Sequence, residues 1–333
     1  MLEGKKILIT GGTGSLGQAL TRRLLSMKVD TIRIFSRNEE NQIQMETKFK
    51  DDRLRFFLGD INDFERLKRA IEDVDIVFHA ATLKHIPKIE YNPFEAIKTN
   101  VFGSQNVINA CFHENVEKVI AIGTDKAVSP LNTYGATKLL MEKLFVTANN
   151  YVDPEKHVTR FITVRYGNVF GSNGSVALLF IKQIKKKQKI TITDSTMTRF
   201  SIIMEEALDF ILNALNSGKG SEIFVPKLRA YSIMDLKDVI NELLDNNNEE
   251  IIGIRPGEKL HETLISNDEL RYSWEYNDMY MITNPLYPLF HVNKIKEIYQ
   301  GIKKMDGVSS YSSNNVEKIS KDELKKTLNE FIK

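Results

Sequence analysis

Along the first half of the chain, short runs of consecutive apolar residues alternate with longer stretches in which apolar positions return every three or four residues. Lys6-Ile7-Leu8-Ile9-Thr10 predicts a buried strand, and after a group of glycines an amphipathic helix is expected over 15–27. Further strands are expected at 31–35, 55–58, 75–80, 118–122 and 160–164. The helices between them are a polar one after the second strand, then 64–71, a long stretch from 93 to 114, and 134–148. Strands without polar alternation have both faces covered. The series therefore predicts a parallel sheet between two layers of helices, a doubly wound α/β fold of Rossmann type.

After Asn168 the rhythm changes. Residues 171–175 break the pattern, helices over 176–189 and 204–217 flank a short strand at 190–193, and a strand at 222–225 is placed to rejoin the sheet. The stretches 251–265 and 279–284 look like pieces of a smaller α/β lobe. The expected division is 1–170 for the sheet domain, 171–305 for a lobe interleaved with it, and 306–333 for a polar link and terminal helix.

Composition narrows the classes. With 42% hydrophobic and 27% charged residues the 333-residue chain is globular, not disordered. Lys plus Arg (46) nearly cancels Asp plus Glu (44), so the field that a general nucleic-acid binder needs is missing. Lys185, Lys186, Lys187 and Lys189 read as one solvated helix face. The single cysteine, Cys111, excludes an intrachain disulfide and a cysteine-rich metal site, and no metal is expected. No apolar run has the length of a bilayer span or of a signal-peptide core, so a cytoplasmic protein without a membrane partner is expected.

Candidate chemistry begins where the first strand meets the first helix. Gly11, Gly14 and Gly17, with Thr13, Ser15 and Leu16 between them, form a G-x-x-G-x-x-G spacing, a variant of the dinucleotide fingerprint. Small residues let the backbone approach a pyrophosphate lying on the helix N-terminus; the competing reading is an ordinary tight turn. At the end of the second strand, where an acid selects NAD, stand Ser36 and Arg37. A hydroxyl and a guanidinium suit a 2′-phosphate, which favours NADP over NAD unless Arg37 is merely a surface charge. Asp60 and Ile61 are expected beside the adenine, with a helix N-cap as the alternative for Asp60. Ala80 and Ala81, at the end of the fourth strand, are placed along the same cofactor. Lys84 and His85 follow them toward the crevice, where His85 is either a donor to substrate or a packed loop histidine.

Thr124, Asp125 and Lys126 end the fifth strand, at the edge of an open sheet where ligands bind. Tyr134 and Lys138 share one face of the next helix, where the lysine is expected to lower the phenol's pKa and prepare it to take a proton from an alcohol. A surface ion pair is the bland alternative for Asp125 and Lys126.

The glycine loop, Thr124, Tyr134 and Lys138 resemble the extended short-chain dehydrogenase/reductase superfamily. More narrowly, Thr-Asp-Lys-Ala (124–127), Tyr-Gly-Ala-Thr-Lys (134–138), Arg-Tyr-Gly-Asn-Val (165–169), Met-Thr-Arg-Phe (197–200) and Arg-Pro-Gly-Glu-Lys (255–259) resemble the inverting UDP-N-acetylglucosamine 4,6-dehydratases, which open pseudaminic acid and related surface-sugar pathways. The resemblance implies oxidation at sugar C4, loss of water across C5–C6 and return of hydride to C6. It gives Lys126 as the C5 base, Asp125 as the acid at C6, and Asn168, Arg199, Arg255 and Glu258 as holders of UDP. For those roles burial has to leave Asp125 protonated and Lys126 neutral. Asn100 either bridges a water or caps a helix break. A homo-oligomer, dimer or hexamer, is implied as well. A nucleotide-sugar 4-epimerase or reductase, a retaining dehydratase and a non-enzymatic NADP-binding regulator are the rival readings.

Overall fold

The computed structural model describes residues 2–151, 156–172, 175–246, 248–284, 286 and 292–332. Its first half runs β1 (Lys6–Thr10), α1 (Ser15–Leu25), β2 (Thr31–Ser36), α2 (Glu39–Phe49), β3 (Leu54–Leu58), α3 (Phe64–Ile71), β4 (Ile76–His79), α4 (Ile86–Tyr91), α5 (Pro93–Ile97), a π-helical turn (Lys98–Phe102), α6 (Gly103–His113), β5 (Lys118–Ile122), a 3-10 turn (Asp125–Ala127), α7 (Thr133–Ala148) and β6 (Arg160–Val164). The second half adds α8 (Val176–Lys185), β7 (Ile190–Ile192), β8 (Thr198–Phe200), α9 (Met204–Ser217), β9 (Glu222–Pro226), β10 (Ala230–Ser232), α10 (Ile233–Leu244), β11 (Glu249–Ile251) and β12 (Thr263–Ile265). It closes with α11 (Asn267–Leu270), β13 (Ser273–Tyr276), β14 (Met279–Thr283), α12 (Val292–Ile298), β15 (Lys303–Lys304), β16 (Tyr311–Ser312) and α13 (Lys321–Ile332).

The main sheet has ten strands in the order β15-β13-β14-β9-β6-β5-β4-β1-β2-β3. From β3 to β9 every pairing is parallel. The pleat distributes the apolar run of β1 between two cores: Ile7 and Ile9 enter one, Leu8 the other, all fully buried. Each such side chain contributes about 1.5–3 kcal/mol by leaving water, which is why unbroken apolar runs marked these strands. Strand order reverses between β1 and β4, and the crevice beyond their carboxyl ends is where a doubly wound sheet binds its ligand.

One expectation is corrected. Residues 279–284 do not belong to a smaller lobe: β14 pairs antiparallel with β9, and β13 and β15 extend the same sheet beyond it. The helical stretch expected from 93 to 114 runs from Pro93 to His113 and widens into a π turn at Lys98–Phe102, in which Asn100 is buried. Before it the chain forms α4, with a proline in its first turn. Of the predicted break at 171–175, Asn173 and Gly174 lie outside the described residues. The smaller lobe packs α8, α10 and α13 around Phe180, Leu236 and Leu328. No described helix is long and apolar enough to cross a membrane.

Candidate active site

The glycine loop lies at the amino end of α1. Gly11 has φ +67°, and a Cβ there would meet the Ala81 backbone at 2.8 Å, so the loop is pressed onto the end of β4. Gly14 is the N-cap of α1 and offers no side chain to the helix amides, leaving the positive end of the dipole open. A Cβ at Gly14 would have only the Gly11 carbonyl oxygen near it, at 3.2 Å. This cradle of small residues and uncapped amides fits a dinucleotide pyrophosphate. Around it, Ala80 and Ala81 are fixed by hydrogen bonds to the carbonyl and the hydroxyl oxygen of Thr10.

At the end of β2, Ser36 is buried and accepts a hydrogen bond from Gln42 at 3.0 Å. Arg37 remains half exposed and its Nη1 reaches Asp60 Oδ2 at 3.3 Å. The helix cap expected as an alternative for Asp60 is corrected: Asp63 caps α3, while Asp60 Oδ1 accepts from the Asn62 backbone and side chain. Ile61 is buried against Gly103, where a Cβ would lie 2.6 Å from it.

The candidate catalytic segment is set by close backbone approach. Thr124 caps the 3-10 turn, accepting from the Lys126 amide, and Asp125 N–H donates to Tyr166 O. A Cβ on Gly135 would meet Lys126 O at 2.2 Å, so glycine after Tyr134 lets α7 lie directly on this turn. The α7 cap, Asn132, accepts from Gly135 N at 2.8 Å and donates to Gly257 O at 2.9 Å. It thereby pins the helix to the 255–259 turn, and Lys259 adds a bond to Val128 O.

Asp125 and Lys126 form the centre. Lys126 Nζ lies 3.0 Å from each Asp125 oxygen and 3.0 Å from Asn168 Oδ1. Thr124 donates to Asp125 Oδ1 at 2.9 Å. A residue that the motif reading left unassigned, Glu262, completes the group with its Oε1 at 3.3 Å from Lys126 Nζ and 3.7 Å from Arg199 Nε. The surface ion pair is excluded by burial, since Asp125 is 1% exposed.

The charge states differ in part from the expectation. Burial, and then the neighbouring Glu262 carboxylate, push the Asp125 carboxyl up, as the acid role requires. Burial works to lower Lys126, but the carboxylates of Asp125 and Glu262 outweigh it and hold the ammonium above its ordinary pKa. Lys126 is therefore a cation here, not the neutral amine expected. The tyrosine is corrected too. Burial pushes Tyr134 up to about 12, against the charge of Lys126 and a bond to Thr124. Lys138 donates to Ile122 O (2.6 Å) and Met141 Sδ (2.9 Å), and burial pushes it down to about 8.

The residues expected to hold substrate are partly engaged with one another. Asn168 holds Lys126, and Arg199 donates to the carbonyls of Thr198 (2.8 Å) and Leu260 (3.0 Å). Arg255 and Glu258 pair across a tight turn at 3.7 Å. Lys84 and His85 are exposed at the start of α4, where His85 is the cap position without a side-chain bond. Asn100 neither caps a helix nor faces open solvent. Its amide joins Leu83, Thr82 and Thr137, tying the loop after β4 to α7.

The sequence family described as "Polysaccharide biosynthesis protein" matches residues 7–284. UDP-N-acetylglucosamine 4,6-dehydratase (inverting) of Campylobacter jejuni subsp. jejuni serotype O:23/36 (strain 81-176) is 46% identical over 99% of this chain and 98% of its own length. UDP-glucose 4-epimerase of Rickettsia massiliae (strain Mtu5) is 39% identical over 98% and 96%. Among solved structures, Pen from Bacillus thuringiensis superposes with a TM-score of 0.89 at 39% identity, covering 99% of this chain and 98% of that one.

Proposed function

As the chain belongs to the inverting UDP-N-acetylglucosamine 4,6-dehydratases, within the polysaccharide biosynthesis protein family and the extended short-chain dehydrogenase/reductase superfamily, we propose that it removes water from UDP-N-acetylglucosamine, inverts C5 and releases the 4-keto-6-deoxy sugar nucleotide. The observation that carries this reading is the buried acid–lysine pair at the end of β5 beside Tyr134. Redox at C4 alone, as in an epimerase, needs no second acid–base pair.

A nicotinamide dinucleotide fits the Gly11–Gly17 cradle, and when bound it supplies hydride exchange with sugar C4 and C6. The other tasks fall to side chains. Tyr134, once it has shed its own proton, accepts that of the C4 hydroxyl, aided by the positive charge of Lys126 and by the Thr124 hydroxyl, both of which favour phenolate against burial. The C4 ketone acidifies the hydrogen on C5. Lys126, once it has shed a proton, takes that hydrogen while Asp125 protonates the departing C6 hydroxyl. Asn168, Arg199, Arg255 and Glu258 line the UDP side, with Lys84 and His85 at its mouth. The product is a precursor of the surface-polysaccharide, pseudaminic acid type. Nucleotide sugars and nicotinamide cofactors are cytosolic metabolites, which favours a cytoplasmic site of action. Exposed Tyr91, Phe94, Phe102 and Leu140, on helices that pack together, favour a homo-oligomer joined through this face.

Incubation with UDP-N-acetylglucosamine in deuterated water tests the reading. The expected product has lost one water, carries deuterium at C5 and forms without net NADPH. A product of unchanged mass supports epimerisation instead. NADP is proposed over NAD on Ser36 and Arg37. Arg37→Ala is expected to weaken NADP binding by about 10- to 100-fold, the worth of a charge-assisted contact, while NAD binding stays level. Equal NADP affinities in a fluorescence titration of the two proteins would remove Arg37 from cofactor selection.

A further inference from the structure

Two buried carboxylates share one ammonium. Lys126 Nζ stands 3.0 Å from Asp125 Oδ1 and 3.3 Å from Glu262 Oε1, and the side chains of Asp125 and Glu262 are 1% and 5% exposed. Glu262 comes from the 255–265 segment, and its second oxygen, Oε2, is buried without any hydrogen-bond donor. Its backbone N–H is held by Ser313 Oγ at 2.9 Å, which fixes the carboxylate beside Lys126.

Resting on the dehydratase reading above, we propose that Glu262 is a positioning residue for the elimination: by sharing the Lys126 ammonium with Asp125, its carboxylate keeps a proton on Asp125 for delivery to the C6 hydroxyl. Like charges in one buried site do not both persist, and the proton settles on the carboxyl with fewer cations around it. Glu262 has Lys126, Arg199 and Lys259 acting on it, which hold it low. Asp125 has Lys126, the neutral Thr124 hydroxyl, and the phenols of Tyr134 and Tyr231 nearby. The distribution therefore favours Asp125 over Glu262 as the holder of a shared proton. In the elimination the Asp125 O–H bond breaks, its proton joins the C6 oxygen, and the C6–O bond breaks to release water. The electron pair of the C5–H bond forms the C5–C6 double bond, and that hydrogen passes as a proton to the Lys126 amine. The proton that Lys126 gives up beforehand passes to water, since the cations around Glu262 hold that carboxylate ionised.

Wild type, Glu262→Gln, Glu262→Asp and Asp125→Asn are compared in the full-length protein by three measurements. These are infrared detection of protonated carboxyl groups at neutral pH, transient cofactor reduction by UDP-N-acetylglucosamine, and release of the dehydrated product. The expected infrared band of a protonated carboxyl is present in wild type and missing in both Asp125→Asn and Glu262→Gln. Water loss in Glu262→Gln falls at least about tenfold, in the range of general acid catalysis, while transient reduction is retained and Glu262→Asp recovers most of the rate. Persistence of the band in Glu262→Gln, unchanged water loss, or a parallel fall in reduction and water loss would overturn the role of Glu262. If wild type reduces its cofactor yet never releases dehydrated product, the dehydratase reading itself fails, and the inference with it.

Discussion

Lys126→Ala is expected to suppress release of the dehydrated sugar by about 10²–10⁴-fold, the usual worth of a positioned base, while cofactor affinity stays at the wild-type level. Among the described residues the amine is the one basic nitrogen within 3.3 Å of both Asp125 and Glu262, and the nucleotide cradle lies on other elements, at the ends of β1, β2 and β4. Removing the ammonium leaves two buried carboxylates without their shared cation. They are expected to hold a proton between them, so the fold survives, since a buried charge neutralises before it unfolds a site. Mass spectrometry of the product, with a direct cofactor titration and a thermal melt of the same sample, checks all three statements. Wild-type turnover by the variant would take Lys126 out of the chemistry.

Arg165→Ala is expected to have the largest effect on stability. Arg165 is 1% exposed and its guanidinium spans three elements. It reaches Glu142 on α7 at 2.7 and 3.2 Å, Glu269 on α11 at 2.9 and 3.0 Å, and Leu264 O at 2.9 Å. Burial opposes its charge, but the two carboxylates hold the guanidinium firmly protonated. Truncation leaves Glu142 fully buried without its hydrogen-bonded cation, a loss of about 3–5 kcal/mol for a broken buried pair. Glu142 is also one helical turn beyond Lys138, so α7 loses the anchor that sets Tyr134 against the 3-10 turn. Denaturant unfolding measures the loss. Adding Glu142→Gln to Arg165→Ala is expected to return part of it, because the orphaned charge is gone, and a double-mutant cycle reads the coupling. A shift in unfolding midpoint worth less than about 1 kcal/mol would show that the network does not brace the site.

Most of the frame was legible because it is written locally. The β1 and β5 strands were identified from unbroken apolar runs, and the α3 helix from its periodicity, since an element's own neighbours decide its form. The same holds for the glycine loop between β1 and α1, and for Thr124, Tyr134 and Lys138, whose spacing on a strand end and one helix face is fixed by backbone geometry. The misplacement of 279–284 has a different origin. An antiparallel strand added at β9 carries no sign of its partner in its own apolar pattern, and only pairing reveals it. The π turn in the helix after Pro93 goes with Asn100 finding Leu83 and Thr137, neither of them a sequence neighbour.

The sequence by itself determined the doubly wound sheet, the crevice at its switch point and which acid, lysine and tyrosine are the candidates for its chemistry. Tertiary structure alone decided their protonation. Lys126 is a cation because Glu262 folds in from the far side of the chain to join Asp125, and Tyr134 is held neutral because burial outweighs the charges that reach it. Periodicity and spacing report where a side chain sits along its own element. A pKa reports the water removed and the charges gathered around it, and those come from segments that only folding brings together.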